Sequence, residues 1–298
     1  MYRKSGEEPL LKQEFPKKEV TGEINGKMFN AGFDIDENDP KGKHQRWRYK
    51  ELVDDIVSAH LLSFSLKYTL IADTSLERWI QAAMAVYTTD KYENRGEFGE
   101  LLLHSVLKDF YGTEILVSKI FYKDGPNDTV KGFDAVHVTI AEDNSDIDLW
   151  LGEVKFYDNK SSAIRDITKE IIDHLSIPYL KNELMFVGRK IDDADPLKKV
   201  SEKIFAKNVS LKDKVKRIII PALITYESVA LQKGKCKNTD YKADLEREFT
   251  ESIEKFNSNL ENKLLFPEVK IIFIIVPLVC KSDLQTYFDT KLKKLQDL

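Results

Sequence analysis

The spacing of apolar positions along this chain of 298 residues changes period several times. Residues 48–68 and 75–88 repeat at helical spacing, the second with Trp79, Ala83 and Val86 on one side and Thr74 or Ser75 as N-cap. Residues 95–112 read as a further helix, with Phe98, Leu102, Leu103, Val106, Leu107 and Phe110 in one arc and Gly112 closing the C-terminal end. The period then shortens. Residues 113–123, 132–141 and 146–156 are rich in β-branched and aromatic side chains and predict three strands, the last two joined by the polar loop EDNSD. Residues 161–175 return to a helix, with Ile164, Ile167, Ile171 and Leu175 in register. A short helix near 197–206, a buried strand over 216–226, a charged amphipathic helix over about 240–260, a strand over 269–278 and a helix over 282–296 follow.

Residues 1–45 hold no sustained period and are expected to be an irregular arm packed on the body. The order from residue 97 is helix, three strands, helix, strand, helix, strand, helix, which predicts one α/β domain. The division expected is an N-terminal arm and helical region over 1–94 and an α/β domain over 95–298 with a C-terminal strand–helix extension.

Composition narrows the picture modestly. Hydrophobic content of 42% and charged content of 32% fit a globular protein with a sizeable core. The first residues lack the apolar run of a secretory signal, and the longest apolar stretch, IIFIIVPLVC, is too short to span a bilayer. Cys236 and Cys280 share no metal-ligand spacing and point to a reducing compartment, so a cytoplasmic location is expected. With 46 basic and 50 acidic side chains the net charge is −4, whereas an autonomous nucleic-acid binder is usually basic. If nucleic acid is the substrate, a partner is expected to supply much of the affinity. No Gly-rich phosphate loop is present, which argues against an ATPase.

The candidate chemistry lies in DIDLWLGEVKFYDNK, residues 146–160. Acid-x-lysine spacing is common here, recurring at Asp39, Asp158, Asp240, Glu261, Glu268 and Asp289. Glu153 and Lys155 differ in ending a strand that is apolar on both faces, and functional sites in open α/β sheets collect at the carboxyl ends of strands. Two buried charges there need a compensating partner. They could pair with each other, or they could share a metal site with Asp134, which an antiparallel hairpin of 132–141 with 146–156 brings alongside. Converging carboxylates repel unless a cation lies between them, and hard oxygen ligands with room for water suit Mg²⁺ or Mn²⁺. The Val154 carbonyl could complete the inner shell, while Lys155 orients or deprotonates a water or stabilises phosphate charge. A helical projection sets Glu100 at the edge of the apolar arc facing the sheet, and Glu97 further towards solvent as the reserve; either could instead be an exposed first-turn acid.

This order of helix Glu100, strand Asp134 and then Glu153-x-Lys155 resembles the PD-(D/E)xK nuclease superfamily, whose restriction-endonuclease-like core is αβββαβ with a mixed sheet. Phe133 stands where many members carry proline. The wording RGEFGELLLH, KGFDAVHV and WLGEVKFY is similar, more specifically, to the HamA family, the nuclease component of the bacterial Hachiman anti-phage defence system. The resemblance implies a Mg²⁺-dependent deoxyribonuclease that works on DNA beside a HamB-like helicase, away from any membrane. It also implies that Asp134, Glu153 and Glu100 hold the metal and that Lys155 serves the chemistry. A non-catalytic scaffold that binds helicase or DNA, and a repair or restriction nuclease with the same chemistry, are the competing readings.

Other residues are read more simply. Packing or solvent contact accounts for His104 and His137, near the site, and a favourable C-terminal helix charge for His174. Arg165 and Lys169, one turn apart, hold a DNA phosphate or form a solvated face. Trp47 with Arg46, Arg48 and Lys50 touches nucleic acid or a partner, or only anchors the arm.

Overall fold

The computed structural model describes residues 7–16, 18–21, 24–39, 41–66, 75–89, 95–118, 120, 132–141, 146–175, 196–205, 217–237, 239–260 and 269–298. The expectations for Thr74, for residues 67–68 and 121–123, for Lys131 and the loop 142–145, and for most of 177–215 fall outside them.

From residue 48 onward the elements follow the hydrophobic pattern closely. Helices α1 (Tyr49–Ser65), α2 (Leu76–Val86) and α3 (Glu97–Tyr111) precede strands β6 (Glu114–Ser118), β7 (Ala135–Ile140) and β8 (Ile147–Phe156). Then come α4 (Lys160–His174), α5 (Lys198–Phe205), β9 (Arg217–Glu227), a short α6 (Val229–Gly234), α7 (Lys242–Leu260), β10 (Val269–Leu278) and α8 (Lys281–Gln296). Gly112 ends α3 at φ 60°, a left-handed conformation that a side chain would strain, and its N–H returns to the Leu107 carbonyl. Asn159 caps α4 by accepting from the Ser162 N–H.

The expectation for residues 1–45 is corrected. They contain β1 (Lys12–Gln13), β2 (Lys18–Thr21), β3 (Ile24–Asn30) and β4 (Phe33–Ile35), and β4 pairs with β5 (Gln45–Trp47) in a separate two-stranded ribbon. β3 lies inside the main sheet, parallel to β10, with Gly26 opposite Phe273. Gly26 is needed at that place because a Cβ would lie 2.3 Å from the Ile253 side chain of α7. Trp47 is buried and packs at 5.6 Å from Tyr49, while Arg46 is ion-paired with Glu51. The aromatic of that patch therefore anchors the N-terminal ribbon to α1.

The sheet runs β1-β3-β10-β9-β8-β7-β6, with β2 also on β3. β3, β10, β9 and β8 are parallel, and the β7 and β6 pairings are antiparallel. Its α/β architecture, mixed sheet and N-terminal helices are those expected. α4 and α7 cover one face, where Phe256 of α7 stacks 4.0 Å from Phe273. α3 covers the other face and packs with α1, which in turn contacts α2 and α8. The register aligns Glu153, Ala222, Phe273 and Gly26 across the strands, so Glu153 belongs to the α4/α7 face.

Candidate active site

The β7–β8 hairpin forms as expected, with Ala135 opposite Gly152 and Val136 opposite Leu151. Asp134 lies one residue before β7 and so comes opposite Glu153. Its N–H donates to the Gly152 carbonyl at 2.9 Å, and its Oδ2 accepts from the Val154 N–H at 2.8 Å. That second bond fixes the carboxylate against the strand edge. Asp134 is 7% exposed and Glu153 only 1%, so both acids are held out of bulk water. Gly152 permits this close approach: a Cβ there would meet Leu103 at 2.9 Å and the Ala135 Cβ at 3.1 Å.

Glu153 and Lys155 do not simply neutralise each other. Lys155 is ion-paired with Glu170 and Glu153 Oε1 meets His174 Nδ1, both partners coming from α4. Beyond the strand end, Tyr157 lies within electrostatic reach of Asp166 on the same helix. Alternate strand residues are thus matched by helix residues four apart, 153 with 174, 155 with 170 and 157 with 166. Two residues of strand rise roughly 6.6 Å and four of helix about 6 Å, so an antiparallel strand and helix stay in phase for three rungs.

The electrostatics follow from this packing. Burial opposes charge on Lys155, yet the Glu170 carboxylate, with Asp134 and Glu153 behind it, outweighs burial and holds the ammonium above the usual lysine range. Lys155 is therefore protonated at neutral pH and suited to orient or stabilise rather than to abstract a proton. Burial pushes the His174 imidazole down despite the nearby Glu170 and Asp134. A neutral ring meets a carboxylate through its Nδ1–H. Three carboxylates around one ammonium leave the local field negative.

Among the described residues no three His, Cys, Asp or Glu side chains form a ready metal cage. The donor set is an open one. Asp134 and Glu153 lie side by side, and in an antiparallel ladder the N–H and C=O of one residue face the same neighbour, so the Val154 carbonyl is directed to the Asp134 side. Mg²⁺ and Mn²⁺ retain waters and take one or two carboxylates, so these hard oxygen donors fit them.

The sequence profile of the HamA family matches residues 11–292. The chain belongs to the HamA family. Membership makes it a component of Hachiman antiviral defence. A comparison with curated proteins returns no match.

In this HamA-family chain the helix acids lie differently from the helical projection. α3 reaches β8 from the opposite face, where a Cβ on Gly99 would come within 2.7 Å of Phe156 and 3.2 Å of Val154. Glu97, expected towards solvent, is buried at 6% and ion-paired with Arg95, because α8 covers this turn through Gln285 and Phe288. Glu100 is half-buried on the same helix. A further carboxylate at Lys155 comes from Glu170 of α4, which the sequence did not single out.

The histidines divide: one departs from its expected role and two keep theirs. His174, expected to serve only as a helix-end charge, touches Glu153. His104 and His137, expected near the site, lie on the α1/α3 face in a buried chain from Ser63 through His104 and His137 to Thr113, with contacts of 2.9, 3.1 and 2.7 Å. Arg165 and Lys169 are exposed on α4 and line a shallow groove with Thr168, Ile172, Asp173 and Asn259. Arg165 also bonds Asp166 at 2.8 Å. No helix among the described residues is long and apolar enough to cross a membrane.

Proposed function

We propose that this HamA-family chain is a metal-dependent deoxyribonuclease that hydrolyses DNA phosphodiester bonds as the effector of a defence complex with a HamB-like helicase. The observation that carries the reading is the Asp134–Val154 bond at 2.8 Å, which fixes one carboxylate beside the buried Glu153 with protonated Lys155 on the same face. A scaffold has no need to gather three carboxylates around one lysine under cover.

Asp134, Glu153 and the Val154 carbonyl are the groups that would hold Mg²⁺ or Mn²⁺. The ion would acidify a water and polarise the phosphate. Lys155, charged, would orient the attacking water or the non-bridging oxygens and offset negative charge growing on phosphorus. Packing of α3 and α4 on both faces limits water around these groups. Arg165 and Lys169 supply phosphate contacts beside the site, and the chain's net charge of −4 makes delivery of DNA by the helicase the natural route.

Plasmid cleavage with Mg²⁺ and the partner helicase tests the reading. Cleavage is expected for the native chain and is expected to vanish on chelation and in Glu153→Ala and Lys155→Ala. Full activity in both variants would overturn the assignment.

A further inference from the structure

We propose that His174 and Glu170 are positioning residues of this site: α4 holds Glu153 through His174 and Lys155 through Glu170, setting the geometry in which the strand presents them. The inference rests on the metal-site reading above and adds residues to it.

Three observations converge. First, the contacts are phased: His174 and Glu170 stand one turn apart on α4 and meet Glu153 and Lys155 in order, and Asp166, a further turn back, lies near Tyr157. A chance surface pair does not produce two consecutive contacts in phase. Second, the line sits where long side chains have most freedom to lose. Glu153 and Lys155 stand at the end of β8, and each has several rotatable bonds whose freedom is lost when the group is held in one place. Third, the helix itself is anchored. Ile164, Ile167 and Ile171 are buried, Asn159 caps the N-terminus, and α4 contacts β8, β9 and α7. A residue on so fixed an element can determine where its partner's oxygens lie.

The chemistry of each rung matches its task. An imidazole N–H on one carboxylate oxygen leaves the other oxygen directed by that bond, as outer-shell donors do for metal-ligating carboxylates. A carboxylate on Lys155 keeps the ammonium forward, on the face shared with Asp134.

Mn²⁺ titration calorimetry on the full chain, wild type and variants, provides a readout other than cleavage. His174→Ala is expected to weaken Mn²⁺ binding by about 10- to 100-fold, the usual cost of losing an outer-shell partner. His174→Asn, whose amide N–H can take the place of Nδ1–H, is expected to recover most of the affinity. His174→Leu fills the space without a donor and gives the same reading if the alanine variant does not fold. In plasmid cleavage with the partner helicase, Glu170→Ala is expected to lower kcat more than it raises KM, with Glu170→Gln in between. Unchanged or tighter Mn²⁺ binding in both His174→Ala and His174→Leu overturns the inference while leaving the metal site intact, provided that Glu153→Ala abolishes binding. A wild-type chain that neither binds Mn²⁺ nor cleaves removes the metal-site reading and this inference together.

Discussion

The two faces of the sheet bury polar groups by opposite means. On the α4/α7 face, Asp134, Glu153, Lys155 and Glu170 are ionisable groups gathered near the end of β8 with an excess of negative charge. On the α1/α3 face, Ser63, His104, His137 and Thr113 form a chain of neutral hydrogen-bonding partners deep in the core. Burial holds His104 well below, and His137 down to about 3 from, the ordinary histidine value, with His60 and Lys108 adding in the same direction and His137 further opposing charge on His104. A buried neutral network is satisfied by its own donors and acceptors. A buried cluster of surplus charge is stable only with a counter-ion or a compensating gain elsewhere. The α1/α3 face has the character of framework and the α4/α7 face that of a working surface.

The sharpest way to separate them is to remove a charge from the working side. Glu153→Ala and Lys155→Ala are expected to lower cleavage by about 100-fold or more, read by plasmid assay, with unfolding midpoints close to wild type. A collapse of folding in both would mean that the charged face is also framework.

Breaking the neutral side should do the reverse. His137→Ala leaves a cavity and strips partners from His104 and Thr113, so a loss of about 2–4 kcal/mol is expected in denaturant unfolding. Mn²⁺ affinity per folded molecule should stay unchanged. Loss of metal binding at full folding would show that the two faces are coupled.

Acid should reach the two faces differently. His137 has a folded value of about 3 against an ordinary 6.5, so between these values the unfolded chain binds the extra proton. Its contribution to stability is complete above about 6.5 and is lost as pH falls towards 3. Unfolding midpoints measured down this range should fall, and the acid limb should flatten in His137→Gln. A limb that keeps its slope in the variant would remove His137 as its source.

Smaller effects lie at the contacts between layers. Gly99→Ala sets a methyl 2.7 Å from the Phe156 Cβ and should cost about 1–3 kcal/mol by pushing α3 from β8. Thermal unfolding checks it, and a wild-type midpoint would mean that the helix moves away freely. Least of all, Arg165→Ala and Lys169→Ala should each weaken DNA binding uniformly across sequences and reduce the salt slope by about 1. Fluorescence anisotropy over a salt series would show an unchanged slope if neither touches phosphate.

How much could be read from the chain follows the range of the forces involved. Asp134, Glu153 and Lys155 were legible because strand parity and hairpin register are local. β3 was not, because INGKMFN has no run of β-branched residues and becomes a strand only through its pairing with β10 at the far end of the sequence. Glu97 was misplaced by a projection of one isolated helix, which cannot register that α8 covers it. The line Asp166, Glu170 and His174 carried a signal, an i, i+4 row of ionisable groups bordering the arc Ile164, Ile167 and Ile171, but the strand it faces is fixed only by tertiary packing.

The place of β3 beside β10 has a consequence for synthesis. β3 leaves the ribosome early, yet its parallel neighbour is encoded after residues 31–268. At about 5–20 residues per second, that wait is on the order of ten to fifty seconds. During that time the nascent chain cannot close its sheet, so a growing polypeptide carries Glu153 and Lys155 of β8 well before the strands that flank them are complete. Completion of the sheet around β8 is thus tied to the arrival of β10.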